Sequence, residues 1–167
     1  DIENIEKTKK IINLAKKYDV LVEGEIGIIG GKEDDIINEN SNFTSLKQAI
    51  NFYQKTQVDF LAISVGSIHG EYKNKPNLQF DLIKEIKNNV NTFLVLHGSS
   101  GIELDDLKKA INAGIKKINI GTDLKIAYLS GIKKAIGMNT KDPKKISKII
   151  ISNIKDEILR KVKYLIS

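Results

Sequence analysis

The 167-residue chain contains no cysteine and no tryptophan, and only two prolines and two histidines. Without cysteine there is no disulfide framework, and oxidation state places no constraint on the fold. No apolar run approaches the roughly 20 residues that a membrane-spanning helix needs. The opening residues, Asp1-Ile2-Glu3-Asn4, are polar and acidic and do not resemble a signal peptide. The expectation is a soluble, cytoplasmic protein with no membrane partner. The net charge of +6 raises the question of nucleic acid. Lysine, however, is spread along the whole chain, and the few Phe and Tyr residues are scattered. No basic face interleaved with stacking aromatics is visible, so nucleic acid is not an expected partner.

What is present is a regular alternation. Apolar residues at helical spacing (Ile5, Ile11, Ile12, Leu14, Ala15) predict a helix over 3–18. Short aliphatic runs predict strands at 20–26, 58–66, 92–97 and 115–120. Between them, helices are expected at 45–56, capped by Thr44 or Ser45, at 78–88, and at 104–113 with Gly114 as its C-cap. Two more follow: 123–136, closed by Gly137, and 143–165, opened by Pro143. Residues 27–42, with Gly30-Gly31, read as a long polar loop. Strands alternating with helices mean a parallel sheet with right-handed crossovers. The length fits a single domain over 1–167. Four βα units are half of a (β/α)8 barrel, which usually takes about 250 residues. An open four-stranded sheet is the alternative, but it would expose much apolar strand surface.

Both histidines stand where an aliphatic run meets glycine: Phe60 to Ile68 leads into His69-Gly70, and Phe93 to Leu96 leads into His97-Gly98-Ser99-Ser100-Gly101. α/β folds place their chemistry at the C-terminal ends of strands. The two imidazoles, 28 residues apart, are therefore candidate metal ligands on adjacent strands. Glu23 and Glu25 are two apart on one strand and share a face; a buried carboxylate pair needs a cation partner. Lys117-Ile118-Asn119-Ile120-Gly121-Thr122-Asp123 ends the last strand and opens a helix. Its N–H groups form a candidate phosphate cradle, favoured by the helix dipole. Gly98 and the backbone of Ser99-Ser100 offer a second such approach, although the two serines also fit ordinary helix capping. Asp123 fits either a ligand hydroxyl or a helix cap.

Four segments together carry a resemblance. They are Val22-Glu23-Gly24-Glu25-Ile26-Gly27 with Gly30-Gly31-Lys32-Glu33-Asp34-Asp35; Ala62-Ile63-Ser64-Val65-Gly66-Ser67-Ile68-His69-Gly70-Glu71-Tyr72-Lys73; Leu96-His97-Gly98-Ser99-Ser100-Gly101-Ile102; and Ile118-Asn119-Ile120-Gly121-Thr122-Asp123-Leu124. In order and spacing they resemble the class II, zinc-dependent fructose-bisphosphate aldolases, including the shorter members that act on tagatose bisphosphate. The resemblance implies a (β/α)8 TIM barrel, of which this chain is about the last four βα units. It implies reversible cleavage of fructose 1,6-bisphosphate to dihydroxyacetone phosphate and glyceraldehyde 3-phosphate, a step of glycolysis and gluconeogenesis. Tagatose 1,6-bisphosphate cleavage, or a non-catalytic sugar-phosphate binding protein, are the alternatives.

By resemblance, His69 and His97 bind zinc, with Glu25 as a ligand in an alternate position. Glu33, on the glycine-rich loop, is the base that moves the proton at the nucleophilic carbon, and a mobile loop suits that role. Asn119 reaches the enediolate oxygens. Gly70, Lys73, Gly98, Ser99, Ser100, Asn119, Ile120, Gly121 and Thr122 hold the phosphate end of the substrate. A monovalent cation, Na+ or K+, is implied near Gly70 and Ser100, and a homodimer or homotetramer is the implied assembly. The family's third zinc-binding histidine and its proton-donor aspartate lie in the N-terminal half. Neither is in this chain, so the expectation is a fragment that is inactive alone.

Overall fold

Order along the chain follows the expected alternation. The computed structural model describes residues 2–33, 36–38, 42–70, 72 and 76–166, with the backbone alone at 32–33 and 36–38. It divides into two compact units, Asp1–Asn119 and Ile120–Ser167. The first unit contains α1 (Ile2–Ala15), a 3-10 turn (Lys16–Tyr18), β1 (Glu23–Ile26), β2 (Gly30–Glu33), β3 (Ile36–Asn38) and α2 (Leu46–Thr56). It continues through β4 (Phe60–Ile63), β5 (Ile68–His69), α3 (Phe80–Asn89), β6 (Phe93–Leu96), α4 (Leu104–Ala113) and β7 (Ile115–Ile118).

β1, β4, β6 and β7 form one parallel sheet in that order. Each is a run of four residues, and the middle two strands are almost wholly apolar. Leu61, Ala62, Ile63, Leu94, Val95 and Leu96 are fully buried. Ala49 and Phe52 of α2, Ile83 and Ile86 of α3, and Leu107 and Ala110 of α4 supply the facing layer of the core. That burial, worth about 1.5–3 kcal/mol for each large side chain, holds the strands. At the start of β1 the ladder is extended by a side chain: Asp59 accepts a hydrogen bond from the Val22 N–H at 2.8 Å. β1 is shorter than the sequence suggests, and Val20 and Leu21 are exposed before it.

Ser45, not Thr44, caps α2, through a reciprocal capping box with Gln48. Thr44 is buried and does something else. Its hydroxyl donates to the Ile26 carbonyl at 2.8 Å and accepts from the Ser64 N–H at 2.9 Å. One side chain thereby ties the C-terminal ends of β1 and β4 together.

The expected polar loop at 27–42 is overturned: it holds β2 and β3, which pair antiparallel. β2 also pairs in parallel with β5, so a second sheet runs β3-β2-β5. Gly31 makes this possible. Its φ is +97°, and a Cβ there would lie 2.0 Å from the His69 carbonyl oxygen. The glycine pair that reads as a chain breaker is thus the point where two strands meet closely.

The second unit is α5 (Thr122–Gly137) and α6 (Pro143–Ile166). Asp142 caps α6 by accepting from the Lys144 N–H at 2.9 Å. The two helices approach closely at Gly131, where a Cβ would be 2.7 Å from the Ile150 Cα.

Candidate metal centre

His97 directly follows β6, as expected. His69 does not end β4, contrary to the sequence reading. β4 stops at Ile63, and His69 lies on β5, beside Gly31 of β2. A turn through Gly66, whose φ is +103°, separates the two strands. The two imidazoles nevertheless come together: their ring centroids are 5.9 Å apart, edge to face.

Glu25 joins them. One ligand atom each from Glu25, His69 and His97 lie within 4.8 Å of one another. Two imidazole nitrogens and one carboxylate oxygen are a donor set that zinc accepts, and three protein ligands leave positions open for substrate. The residues present therefore fit the metal that the resemblance implies, although histidine and carboxylate ligands suit other divalent ions too.

Glu23 and Glu25 share a strand face, and both reach His97. Glu25 meets Nδ1 and Glu23 meets Nε2, each at 2.8 Å. The Glu25 bond, then the Glu23 bond, raise the His97 pKa above its ordinary value, against a burial that works to lower it. Burial works to raise the Glu23 pKa, but Lys117 and His97 outweigh it and hold the carboxyl below the usual range. The Lys117 ammonium is 2.6 Å from Glu23.

Sequence reasoning missed Lys117 and Tyr72. Lys117 is a charged residue inside a strand, as are Glu23 and Glu25 on β1, and that opposite charge on two strands was the available signal. The Tyr72 hydroxyl accepts from the Ile68 N–H at 2.9 Å and donates to the Gly98 carbonyl at 2.8 Å. It bridges the segments that carry the two histidines. Gly98, with φ +63°, allows the same approach, since a Cβ would meet the Ile68 carbonyl oxygen at 2.2 Å.

Around the candidate phosphate cradle, the Ser99 hydroxyl is buried and donates to the Asn119 carbonyl at 2.6 Å. Ser100 is buried as well. Neither serine caps α4, whose N-cap is Glu103 with no side-chain bond. Gly70 has φ +88°. The half-buried Asn119 continues β7 by donating its N–H to Leu96 at 3.0 Å. Ile120, Gly121 and Thr122 belong to the second unit, where Gly121 immediately precedes α5. Asp123 does not cap α5; its carboxylate meets the buried Lys161 ammonium at 2.6 Å. Lys73 and the Glu33 side chain lie outside the described residues.

The fold and site define a chain of parallel βα units with a His/Glu cluster at the C-terminal ends of its strands. A family model described as class II fructose-bisphosphate aldolase matches residues 2–167. The chain belongs to that family. It is 45% identical over 139 residues to a sulfofructosephosphate aldolase of Alkalicoccus urumqiensis, covering 82% of this chain and 48% of that protein. It is 36% identical to a probable fructose-bisphosphate aldolase of Bacillus subtilis (strain 168), covering 96% and 57%. The crystal structure of the YdjI aldolase from Escherichia coli K12 superposes with a TM-score of 0.83 at 32% identity, covering 98% and 56%. The chain thus spans about half the length of the relatives it matches.

Proposed function

We propose that this chain supplies the C-terminal half of a zinc-dependent class II aldolase that reversibly cleaves fructose 1,6-bisphosphate to dihydroxyacetone phosphate and glyceraldehyde 3-phosphate. The observation that carries the reading is the convergence of Glu25, His69 and His97 within 4.8 Å in a chain of this family.

In this reading His69 and His97 hold zinc, with Glu25 as a ligand in an alternate position. When bound, zinc polarises the ketose carbonyl and stabilises the negative charge that develops there. Asn119 donates to the same oxygens. Glu33, at the end of β2, moves the proton at the nucleophilic carbon. In the first unit, backbone N–H groups of Gly98-Ser99-Ser100, with Gly70 and Lys73, hold a phosphate; in the second, the N–H groups of Ile120-Gly121-Thr122 are a phosphate cradle of their own. The fully buried Ser99 hydroxyl acts through Asn119, which it holds by the carbonyl. A Na+ or K+ ion held by carbonyls near Gly70 and Ser100 belongs to the same reading.

A second substrate has an observation in its favour: the relative with 45% identity is named for sulfofructosephosphate. Tagatose 1,6-bisphosphate differs from the fructose compound at one hydroxyl. The test is cleavage of these three sugars by the full-length protein that contains this chain, with and without chelator, beside His97→Ala. Chelator-sensitive cleavage lost in the variant supports the aldolase, and the preferred sugar names its substrate. Binding of dihydroxyacetone phosphate with no cleavage would replace it with a sugar-phosphate binding protein.

A further inference from the structure

His97 presents two nitrogens and the structure gives each a carboxylate: Glu25 on Nδ1 and Glu23 on Nε2. A neutral imidazole donates from one nitrogen only and offers a lone pair on the other. A metal takes the lone pair, so one carboxylate must keep its hydrogen bond and the other must give way. The surroundings decide which. Glu25 belongs with His69 to the cluster of ligand atoms, and Glu23 does not. The second oxygen of Glu23 is already engaged, 2.6 Å from Lys117.

Glu23 and Lys117 come from β1 and β7, the two outer strands of the four-stranded order. Their contact crosses the face over β4 and β6. Side chains from opposite edges meet in this way when a sheet curls toward that face.

We propose that Glu23 and Lys117 are positioning residues for the metal centre, Lys117 holding Glu23 and Glu23 holding the Nε2–H of His97 so that Nδ1 faces the metal. The inference rests on the metal reading above and adds the tautomer of His97 and the two residues that set it. Carboxylate partners of this kind fix the orientation of a ligating imidazole and raise its basicity. Glu23 is half-buried, whereas the Lys117 side chain is 44% exposed on an outer strand, so its replacement leaves the core untouched.

The experiment measures Zn2+ affinity by competition with a chromophoric chelator, in the full-length protein and in Glu23→Gln, Lys117→Met, Lys117→Arg and His97→Ala. Thermal unfolding of the metal-free proteins is followed in parallel. Glu23→Gln is expected to weaken zinc binding by about 10–100-fold. Lys117→Met weakens it by less, and Lys117→Arg restores it, while every metal-free variant stays folded at the assay temperature despite the lost ion pairs. A variant whose weaker binding is accounted for by metal-free unfolding at the assay temperature would indicate a merely structural role and overturn the proposal. So would Lys117→Met binding zinc as tightly as the parent. If the parent binds zinc no better than His97→Ala, the metal reading itself fails and takes this inference with it.

Discussion

At the scale of single residues, the site is a balance of charges around one imidazole. His97 has a raised pKa and Glu23 a lowered one. The imidazolium's contribution to metal-free stability is fully present below the unfolded value near 6.5 and is lost as pH rises through the higher folded value. The Glu23 contribution has the opposite sign: it is present above the unfolded carboxyl value and is lost as pH falls through the lower folded one. The metal-free protein should therefore lose stability as pH rises from about 6.5 through the higher folded value of His97, and His97→Gln should flatten that slope in urea titrations. Zinc competes with the same proton, so its affinity should rise over that range. Thr44→Val should cost about 1–3 kcal/mol in the same titrations. It leaves the buried Ile26 carbonyl and Ser64 N–H without the partner they now share. The histidines were legible in the sequence because each follows a short aliphatic run, whereas Glu25 was placed near the metal by the family resemblance. Lys117 was not, because its partner is 94 residues away and their meeting depends on the curl of the sheet.

At the scale of elements, the alternation of helix and strand was legible because the central strands β4 and β6 are wholly apolar runs and the segments between them have helical spacing. The second sheet was hidden. Gly30-Gly31 carries the local signature of a turn, and nothing nearby reveals that β5 will lie against it. The positive φ of Gly31 and the 2.0 Å approach to the His69 carbonyl oxygen make a direct test. Gly31→Ala should push β5 away from β2. Zinc affinity should fall by roughly tenfold, while α-helical circular dichroism at 222 nm is retained. Wild-type affinity in this variant would show that β5 is positioned by Tyr72 and Gly98 alone.

At the scale of the whole molecule, the chain covers 48% and 57% of the two curated relatives it matches. In the proposed barrel, the third histidine and the proton-donor aspartate come from outside it. The 167-residue chain supplied with zinc should thus show no cleavage of fructose 1,6-bisphosphate, and aldol cleavage by it alone would refute that division of labour. The second unit has its own test. Lys161 is only 2% exposed and meets Asp123 at 2.6 Å. Lys161→Met should destabilise the protein by roughly 3–5 kcal/mol, because it strands a carboxylate that is mostly shielded from water. This pairing was illegible because Lys161 reads as one more polar position on a lysine-rich helix.

β2 ends in Glu33 and, two residues earlier, pairs Gly31 with His69. The two-stranded ribbon of β2 and β5 thus carries a member of the ligand cluster and the residue proposed for proton transfer. A shift of that ribbon relative to β6 alters both at once. Whatever binds at His69 weights the ribbon's positions, and by thermodynamic reciprocity the ribbon's position weights binding by an equal factor.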